Sequence, residues 1–371
     1  MRRVFFISLV VILLATFIIG GCAAPTPTPP APAAKPATPP VQKLNPTAEK
    51  PLELKFSYHT PKMAGLVTKE LKPWATAIEQ GTKGRIKITH YDSESLVKLQ
   101  DQYDALVSGL ADIGQVSTET TPGRFVLSGI VGLPFMFPNA RVGARVYNEL
   151  LNKYCADTEW KEAKILWCSA LSPHQIFSNK PVQKLEDMKG LKFRIEGKVE
   201  GWTVDALGAS GAELATPDLQ QSLERGIIDG CFLQWAGALT FGVHQVTKYR
   251  TETNLFSRVF VEAMSKKLWD QLPEDIQKVF EENSGPEKSA FWSGEYEKDM
   301  VGAKGAITAY DKKVGNPDPN MFSLSQDEKA RWVNAVMPVR EKWASEAEAK
   351  KLPAKAMLAE AINLVQKYSQ P

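Results

Sequence analysis

The sequence predicts an α/β protein with two lobes. Leu52–Phe56 and Arg85–Thr89 alternate apolar and polar side chains, which is the periodicity of a strand. Between them, Val67–Ile78 carries its apolar side chains at helical spacing. Strands that alternate with helices favour a mostly parallel sheet covered by helices. The chain from Leu52 onward has roughly 320 residues, and a single hydrophobic core usually divides at that size.

The alternation of strands and helices continues along the chain. The further predicted elements, in order, are a helix over Tyr103–Leu110, a strand over Ala111–Val116, a helix over Arg141–Lys153, strands over Ile165–Ala170 and Lys192–Ile195, a helix over Val199–Leu207, strands over Ile227–Leu233 and Val259–Met264, and a helical stretch over Pro286–Lys312. We also predict a helix that Thr216 caps and Gly226 ends, with Pro217 at its first position. Ser325 and Glu328 form a predicted capping box that opens another helix.

The start of the chain has the organisation of an export signal. Arg2 and Arg3 precede Val4–Ile19, which is almost entirely apolar but shorter than the roughly 20 residues of a membrane-spanning helix. The glycine pair before Cys22 resembles a bacterial lipobox, in which the cysteine is lipidated and the chain is cut before it. We therefore predict a signal peptide over residues 1–21 and a lipid anchor on Cys22. The alternative is an uncleaved membrane anchor with an incidental cysteine.

The segment that follows is predicted to be a tether. Between Cys22 and Val41 the chain is mainly Pro, Ala and Thr, with no large apolar side chain. Such a composition cannot bury enough surface to offset the entropy of ordering, so we predict an extended spacer over residues 22–50. A lipid-anchored tether places the protein outside the cytoplasm, in the periplasm or on the outer face of the cytoplasmic membrane.

Charge and cysteine content exclude several classes of protein. The formal net charge of +3 falls to +1 when the signal peptide removes Arg2 and Arg3 and no acid. Nothing indicates the clustered basic surface of a nucleic-acid-binding protein. The cysteines of the folded part, Cys155, Cys168 and Cys231, are odd in number and widely spaced. Buried free thiols are therefore favoured over a disulfide framework or a zinc site, with one disulfide left open.

The sequence has no recognisable catalytic signature. It lacks G-x-S-x-G, the phosphate-binding G-x-x-x-x-G-K-[ST], H-E-x-x-H and paired C-x-x-C motifs. The four histidines are not spaced like metal ligands: His59, His90, His174 and His244. We therefore expect neither catalytic residues nor a cofactor.

Four ordered segments carry a family resemblance. They are Val107–Gly114, Gly132–Phe137, Leu185–Arg194 and Thr216–Gly230. Their residue patterns and spacing resemble the extracytoplasmic solute-binding subunit of tripartite ATP-independent periplasmic (TRAP) transporters, the dicarboxylate-binding-protein (DctP-like) family. The resemblance covers most of the predicted folded part.

The resemblance implies a fold and a function. The fold would be a two-lobed, type II-like periplasmic-binding-protein architecture, with hinge crossings near Ala170 and Arg258 and a long helix after Pro286 that spans both lobes. Lobe 1 would comprise residues 51–170 and about 259–298, and lobe 2 residues 171–258 and about 299–371. The protein would capture a small carboxylate and deliver it to a small and a large membrane subunit driven by an ion gradient.

The resemblance assigns the central binding role to Arg194. In the family, the arginine that ends this strand points into the cleft between the lobes and pairs with a ligand carboxylate. A guanidinium offers paired donors that match a carboxylate, and it stays charged. Without the surrounding motif, a strand-end arginine in a surface ion pair would be the simpler interpretation.

Three more residues of the second lobe are candidates for ligand binding. His174 stands where several family members carry a second arginine, which disfavours sialic acid and a strict dicarboxylate; a surface histidine is the alternative. Trp235 could stack on a planar ligand or simply pack in the core. Gln234 offers an amide oxygen to a hard cation, but no carboxylate ligand is evident nearby, so a metal ion is not predicted.

The first lobe contributes four candidates. Tyr58 and His59 follow the first predicted strand, and Thr118 and Glu119 follow the strand over Ala111–Val116. Loops beyond the carboxyl ends of parallel strands form the crevice of open α/β sheets, so we predict that these side chains contact the ligand.

Three other functions stay open at this point. They are a binding protein of an ATP-driven importer, a sensor module that presents its ligand to a receptor, and an exported hydrolase or lyase. The nature of the organic acid is also open among hydroxy acids, keto acids, aromatic acids and short dicarboxylates.

Overall fold

The computed structural model describes residues 42–121, 123–298 and 300–370. The predicted signal peptide, Cys22 and most of the predicted tether lie outside these residues. Within the described ranges, no helix combines the length and the apolar character that crossing a bilayer requires.

The described residues form strands and helices close to those expected. The strands are β1 (Leu52–Ser57), β2 (Ile86–Tyr91), β3 (Ile113–Val116), β4 (Ala163–Ala170), β5 (Gln175–Ser178), β6 (Lys192–Ile195), β7 (Ser210–Glu213), β8 (Gly230–Leu233), β9 (Tyr249–Glu252), β10 (Val259–Ser265) and β11 (Met321–Ser323). The helices are α1 (Lys72–Gly81), α2 (Gln102–Ser108), α3 (Ala140–Tyr154), α4 (Lys198–Ala206), α5 (Leu219–Glu224), α6 (Trp235–Thr240), α7 (Val243–Val246), α8 (Lys266–Gln271), α9 (Glu274–Glu282), α10 (Gly285–Glu297), α11 (Met300–Val314), α12 (Gln326–Ala349) and α13 (Ala354–Tyr368).

The strands assemble into two sheets, one in each lobe. In the described part of the chain, the first sheet has the order β2-β1-β3-β10-β4 and the second β11-β9-β5-β8-β6-β7. Both are mixed rather than mostly parallel: β1 pairs in parallel with β2 and β3, whereas β10 is antiparallel to β3 and β4. The reason is that β10 brings the chain back from the second lobe and enters the first sheet from the opposite direction.

Two neighbouring chain segments connect the sheets. The chain leaves the first sheet after Ala170 and returns to it at Val259, and these two residues are paired across β4 and β10. The Leu171 amide donates to the Arg258 carbonyl at 2.8 Å, and the His174 amide donates to the Phe256 carbonyl at 2.7 Å. The crossings therefore lie where the sequence indicated, and they are hydrogen-bonded to each other.

Helices also run along both lobes. The helical stretch expected after Pro286 consists of two helices: α10 packs on α3 and β4 of the first lobe, and α11 packs on α6 of the second. The two helices are separated by Lys298, which is in a turn, and by one residue that the structure does not describe. All three cysteines of the described residues are buried and free: Cys155, Cys168 and Cys231.

The C-terminal helices are distributed differently from the prediction that residues 299–371 belong to the second lobe. Trp332 and Val336 of α12 pack in the core of the second lobe, whereas Val339 and Trp343 pack in that of the first. The helix α13 lies against α3 of the first lobe, because the buried side chains of α13 face that helix. The end of the chain therefore returns to the first lobe.

The folded body also begins earlier than the predicted tether boundary at residue 50. The Lys43 ammonium donates to the Leu272 carbonyl and the Leu44 amide donates to the Gln271 carbonyl, both at 2.8 Å. Proline has no amide hydrogen to donate. The chain docks on the first lobe once the proline-rich stretch ends and such donors become available.

Candidate functional site

A cavity of about 630 Å³ lies between the two lobes. It is bordered by loops that follow the carboxyl ends of the parallel strands β1, β3, β6 and β7, which is where open α/β sheets bind ligands. Four of the predicted site residues line it: His59, Thr118, Glu119 and Arg194. The other four are not part of its described lining: Tyr58, His174, Gln234 and Trp235.

Arg194 is buried at the polar end of the cavity. Its Nε donates to the Leu214 carbonyl at 3.0 Å, its Nη2 donates to Thr216 Oγ1 at 2.9 Å, and its Nη1 pairs with Glu196. Burial lowers the pKa of Arg194 to about 10, so the guanidinium is still charged at neutral pH. The prediction that Thr216 caps a helix is wrong: its hydroxyl accepts from Arg194 instead, and Thr216–Asp218 forms a 3-10 turn ahead of α5.

A second buried arginine lies beside Arg194. Arg258, in the hinge segment, pairs with Glu119 of the first lobe and with two acids of the second. Its Nη2 is 2.9 Å from Glu196 Oε2 and 3.4 Å from Glu200 Oε2. Glu196 thus bridges both guanidinium groups, with one oxygen on each. The side chains of all five residues are at most 10% exposed.

Two acids of this cluster, Glu119 and Glu200, ionise less readily than free carboxyl groups. Burial raises the pKa of both Glu119 and Glu200, and the charge of Arg258 opposes that shift in each case. The cluster therefore depends on its arginines to keep several carboxylates ionised in a confined space.

His59 contributes a neutral ring to the same end of the cavity. Its Nδ1 lies 2.9 Å from Gln115 Oε1, and its ring packs on Phe260 with centroids 4.8 Å apart. Burial lowers the pKa of His59 to about 4, against the opposing effect of the hydrogen bond to Gln115. At neutral pH the imidazole is uncharged and offers hydrogen bonds rather than charge.

His174 and Gln234 lie side by side, deeper in the hinge region. The pairing of Gln175 with Leu233 places these two residues next to each other where β5 and β8 meet. Both ring nitrogens of His174 and the Oε1 of Gln234 are buried, with no hydrogen-bond partner among the described residues. Burial holds the pKa of His174 well below its usual value, so this ring is neutral too.

Trp235 and Tyr58 are core residues of their own lobes. The indole of Trp235 packs edge-on against Phe177, with ring centroids 5.4 Å apart. The Tyr58 hydroxyl lies 3.2 Å from His90 Nδ1, on the core side of the first sheet. Among the described residues, no group of three or more His, Cys, Asp or Glu side chains is arranged to hold a metal ion.

The other end of the cavity is apolar and aromatic. Phe125 and Val126 come from the first lobe, Trp202 from α4 of the second, and Trp343 from α12. The Trp343 indole donates to the Val126 carbonyl at 3.0 Å, which fixes the orientation of the ring. The Glu159 carboxylate accepts from three successive backbone amides, those of Val126, Leu127 and Ser128, and so holds this loop in place.

Lys198 and Glu346 also line this end of the cavity: they pair with each other, and the Lys198 ammonium lies 4.8 Å from the centre of the Trp202 ring. The cavity thus has a buried cluster of charges at one end, and aromatic walls with a solvent-exposed ion pair at the other.

The family of the chain follows from comparison with known proteins. The family described as bacterial extracellular solute-binding protein, family 7 (DctP) matches residues 57–346, which is more than half of the chain. This chain belongs to that family. The solute-binding protein is 26% identical over 334 residues to the C4-dicarboxylate-binding periplasmic protein DctP of Rhodobacter capsulatus, covering 85% of this chain and 93% of the relative.

Solved structures share the fold of the solute-binding protein. A TRAP solute-binding protein from Rhodoferax ferrireducens, in complex with copurified benzoate, has a TM-score of 0.79 at 24% identity and covers 86% of this chain and 98% of its own. One from Shewanella oneidensis with bound succinate has a TM-score of 0.72 at 21% identity, covering 85% and 99%. The two-lobed periplasmic-binding fold expected from the sequence is therefore confirmed.

Several cavity residues of the solute-binding protein were not predicted. Glu196, Trp202 and Trp343 line the cavity, and Arg258, which pairs with Glu196, lies outside its described lining. One signal was present for the acid: Glu196 lies just beyond Arg194, where the strand-end rule already indicated the cleft. The other contacts join segments that are far apart in the chain, so no local sequence pattern predicts them.

Proposed function

We propose that this solute-binding protein captures a small organic acid with an apolar, preferably aromatic body. The single observation that supports this most is the division of the cavity, with Arg194 at one end and Phe125, Trp202 and Trp343 at the other. An arginine recognises a carboxylate by charge and by paired donors. Aromatic walls contribute apolar contact area to the rest of the ligand.

Relatives of the same fold support this ligand class. Besides the benzoate complex, a marine metagenome TRAP solute-binding protein specific for aromatic acid ligands was solved with 3-hydroxybenzoate, at a TM-score of 0.80, 24% identity and 86% and 99% coverage. This chain has His174 where several family members carry a second arginine, and its ring is neutral. Arg258, the other buried arginine of the cluster, pairs with three acids and is not part of the described lining of the cavity. An aromatic monocarboxylate therefore suits the cavity better than a dicarboxylate.

We further propose that the ligand is delivered to a small and a large TRAP membrane subunit, driven by an ion gradient and without chemical change. Closure of the lobes around the acid would present a surface that the open form lacks. A membrane partner that binds the closed form more tightly would shift the equilibrium toward that form. Evidence that the protein serves an ATP-driven importer, presents its ligand to a sensor, or acts as an exported hydrolase or lyase would contradict this proposal.

A screen of organic acids tests the binding role. Protein purified free of ligand should melt at a higher temperature with the right aromatic monocarboxylate, because a ligand at a hundredfold its dissociation constant adds about 2.7 kcal/mol of stability. Tryptophan fluorescence should change as well, since Trp202 and Trp343 line the cavity. The acid should be recovered unaltered. A broad library that gives no shift would refute the binding role, and conversion of the acid would indicate an enzyme.

We also propose that Cys22 is lipidated and anchors the protein at the outer face of a membrane. The full chain produced in a bacterial host with labelled palmitate should carry the label, and the variant Cys22→Ser should not. Cys155→Ser is the matched control, because this buried thiol should have no part in anchoring. Label that persists on Cys22→Ser would show that the lipobox interpretation is wrong.

A further inference from the structure

Glu196 occupies the position on Arg194 that a ligand carboxylate would compete for. One of its oxygens pairs with Nη1 of Arg194 and the other lies 2.9 Å from Nη2 of Arg258. The loop that carries it approaches the first lobe closely: a Cβ added to Gly197 would lie 2.7 Å from the Glu119 carbonyl oxygen. The side chain of Glu196 is therefore held by the arginine of its own strand and by the arginine of the hinge segment, and its loop has little room to move away from the first lobe.

At this end of the cavity, the acidic side chains outnumber the arginines. Two guanidinium groups face three carboxylates: Arg194 and Arg258 against Glu119, Glu196 and Glu200. The nearby imidazoles add no positive charge, because burial keeps His59 and His174 neutral at physiological pH. A simple carboxylate would add a further negative charge to a cluster in which three acids already share two arginines and in which burial raises the pKa of Glu119 and Glu200.

Arg194 nevertheless has hydrogen-bond donors left for a ligand. Its contacts with Leu214, Thr216 and Glu196 engage three N–H groups. A guanidinium has five, so two are left without a partner among the described residues. A ligand carboxylate that accepts from these two would lie beside the Glu196 carboxylate, and two groups that only accept hydrogen bonds would then face each other.

A donor on the ligand resolves this conflict. We propose that the acid bound by this protein carries an O–H or N–H group next to its carboxylate, as a hydroxyl or an ammonium, and that Glu196 recognises that group. The donor would give its hydrogen to Glu196 while the ligand carboxylate stays on Arg194. An ammonium would also leave the net charge of the cluster unchanged. This inference rests on the proposed function and narrows its ligand class.

The expected discrimination is large enough to measure. A hydrogen bond to a charged group is worth roughly ten- to a hundredfold in affinity. Acids that lack the donor lose this bond and also bring two carboxylates together. A keto group in the same place only accepts, so a 2-oxo acid should bind as poorly as an unsubstituted one.

Calorimetric titration with a matched series tests the inference. The probes are phenylacetate, mandelate, phenylglycine and phenylglyoxylate, which differ only in the group beside the carboxylate. Mandelate or phenylglycine should bind at least tenfold more tightly than the other two. In Glu196→Gln the affinity for phenylacetate should rise and the difference should fall below about threefold, because the extra charge is gone. Glu213→Gln is the matched control: Glu213 also lines the cavity but pairs with neither arginine in the described structure.

The outcomes separate the inference from the function on which it rests. If all four acids bind the wild-type protein alike, the role of Glu196 is refuted while organic-acid binding stands. If the preference for a donor survives in Glu196→Gln, another group recognises it and the inference is again wrong. If neither these acids nor any acid of the screen binds, the proposed function itself fails. Melting temperatures of both variants verify that they are folded.

Discussion

Replacing Arg194 by alanine is expected to weaken binding of the organic acid by more than a hundredfold. The variant would bring a carboxylate into a confined cavity without its paired donors and beside Glu196. Arg194→Lys keeps the charge but loses the planar fork, and one lost charged hydrogen bond corresponds to roughly a ten- to a hundredfold weaker affinity. Calorimetric titration of both variants with the acid found by screening measures these effects.

The control for this prediction is an arginine of the same lobe outside the cavity. Arg331 pairs with Glu186 at an exposed site, so Arg331→Ala should bind the acid as the wild type does. The empty Arg194→Ala protein should still fold, because Glu196 retains its contact with Arg258. Unaltered affinity in Arg194→Ala would remove this residue from the binding site.

Replacing Arg258 by methionine is expected to cause the largest loss of stability of any substitution considered for this site. Arg258 pairs with Glu119, Glu196 and Glu200, and removing one partner from a buried ion cluster costs about 3–5 kcal/mol. Arg258→Lys should recover part of this loss, because its charge is retained. Urea unfolding measures the free energies. Arg124→Met, which breaks the partly exposed pair with Asp104, should cost less than about 1 kcal/mol.

The loss in Arg258→Met should depend on pH in a defined direction. The pKa values of Glu119 and Glu200 are already raised by burial, and without Arg258 they should rise further. A carboxyl group whose folded pKa exceeds its unfolded pKa favours the folded state at low pH and disfavours it as pH rises through the folded value. The variant should therefore approach wild-type stability at pH 5 and differ most at pH 8. An equal loss at both pH values would contradict a charge-based role.

Local sequence pattern was sufficient for some parts of the site and not for others. The expectation that loops after strand ends form the cleft was right for His59, which lines the cavity, but not for Tyr58. Successive side chains of an extended chain point to opposite sides, so these two neighbours cannot both face the cavity. Tyr58 accordingly packs in the core of the first lobe. Trp235 begins a helix rather than a cleft loop, and its indole lies on Phe177.

Long-range contacts explain most of what the sequence could not provide. The cluster of two arginines and three acids assembles from both lobes and the hinge, so no single segment contains its pattern. The assignment of the C-terminal residues failed for a similar reason. The amphipathic pattern of α13 indicates a helix with a buried face, but not which lobe will cover that face. The ligand contacts of all eight candidate residues stay predictions, including those of the four that line the cavity.

The proline inside α12 sets where this long helix can bend. Pro338 lies between Val336, which packs in one lobe, and Val339, which packs in the other. Proline cannot donate the helical hydrogen bond at its position, so bending is concentrated there. Each half of α12 can then turn as a rigid arm of its own lobe. Such a turn would move Trp343, which belongs to the core of the first lobe, relative to Trp202 on α4 of the second, and the width of the aromatic part of the cavity would change with it.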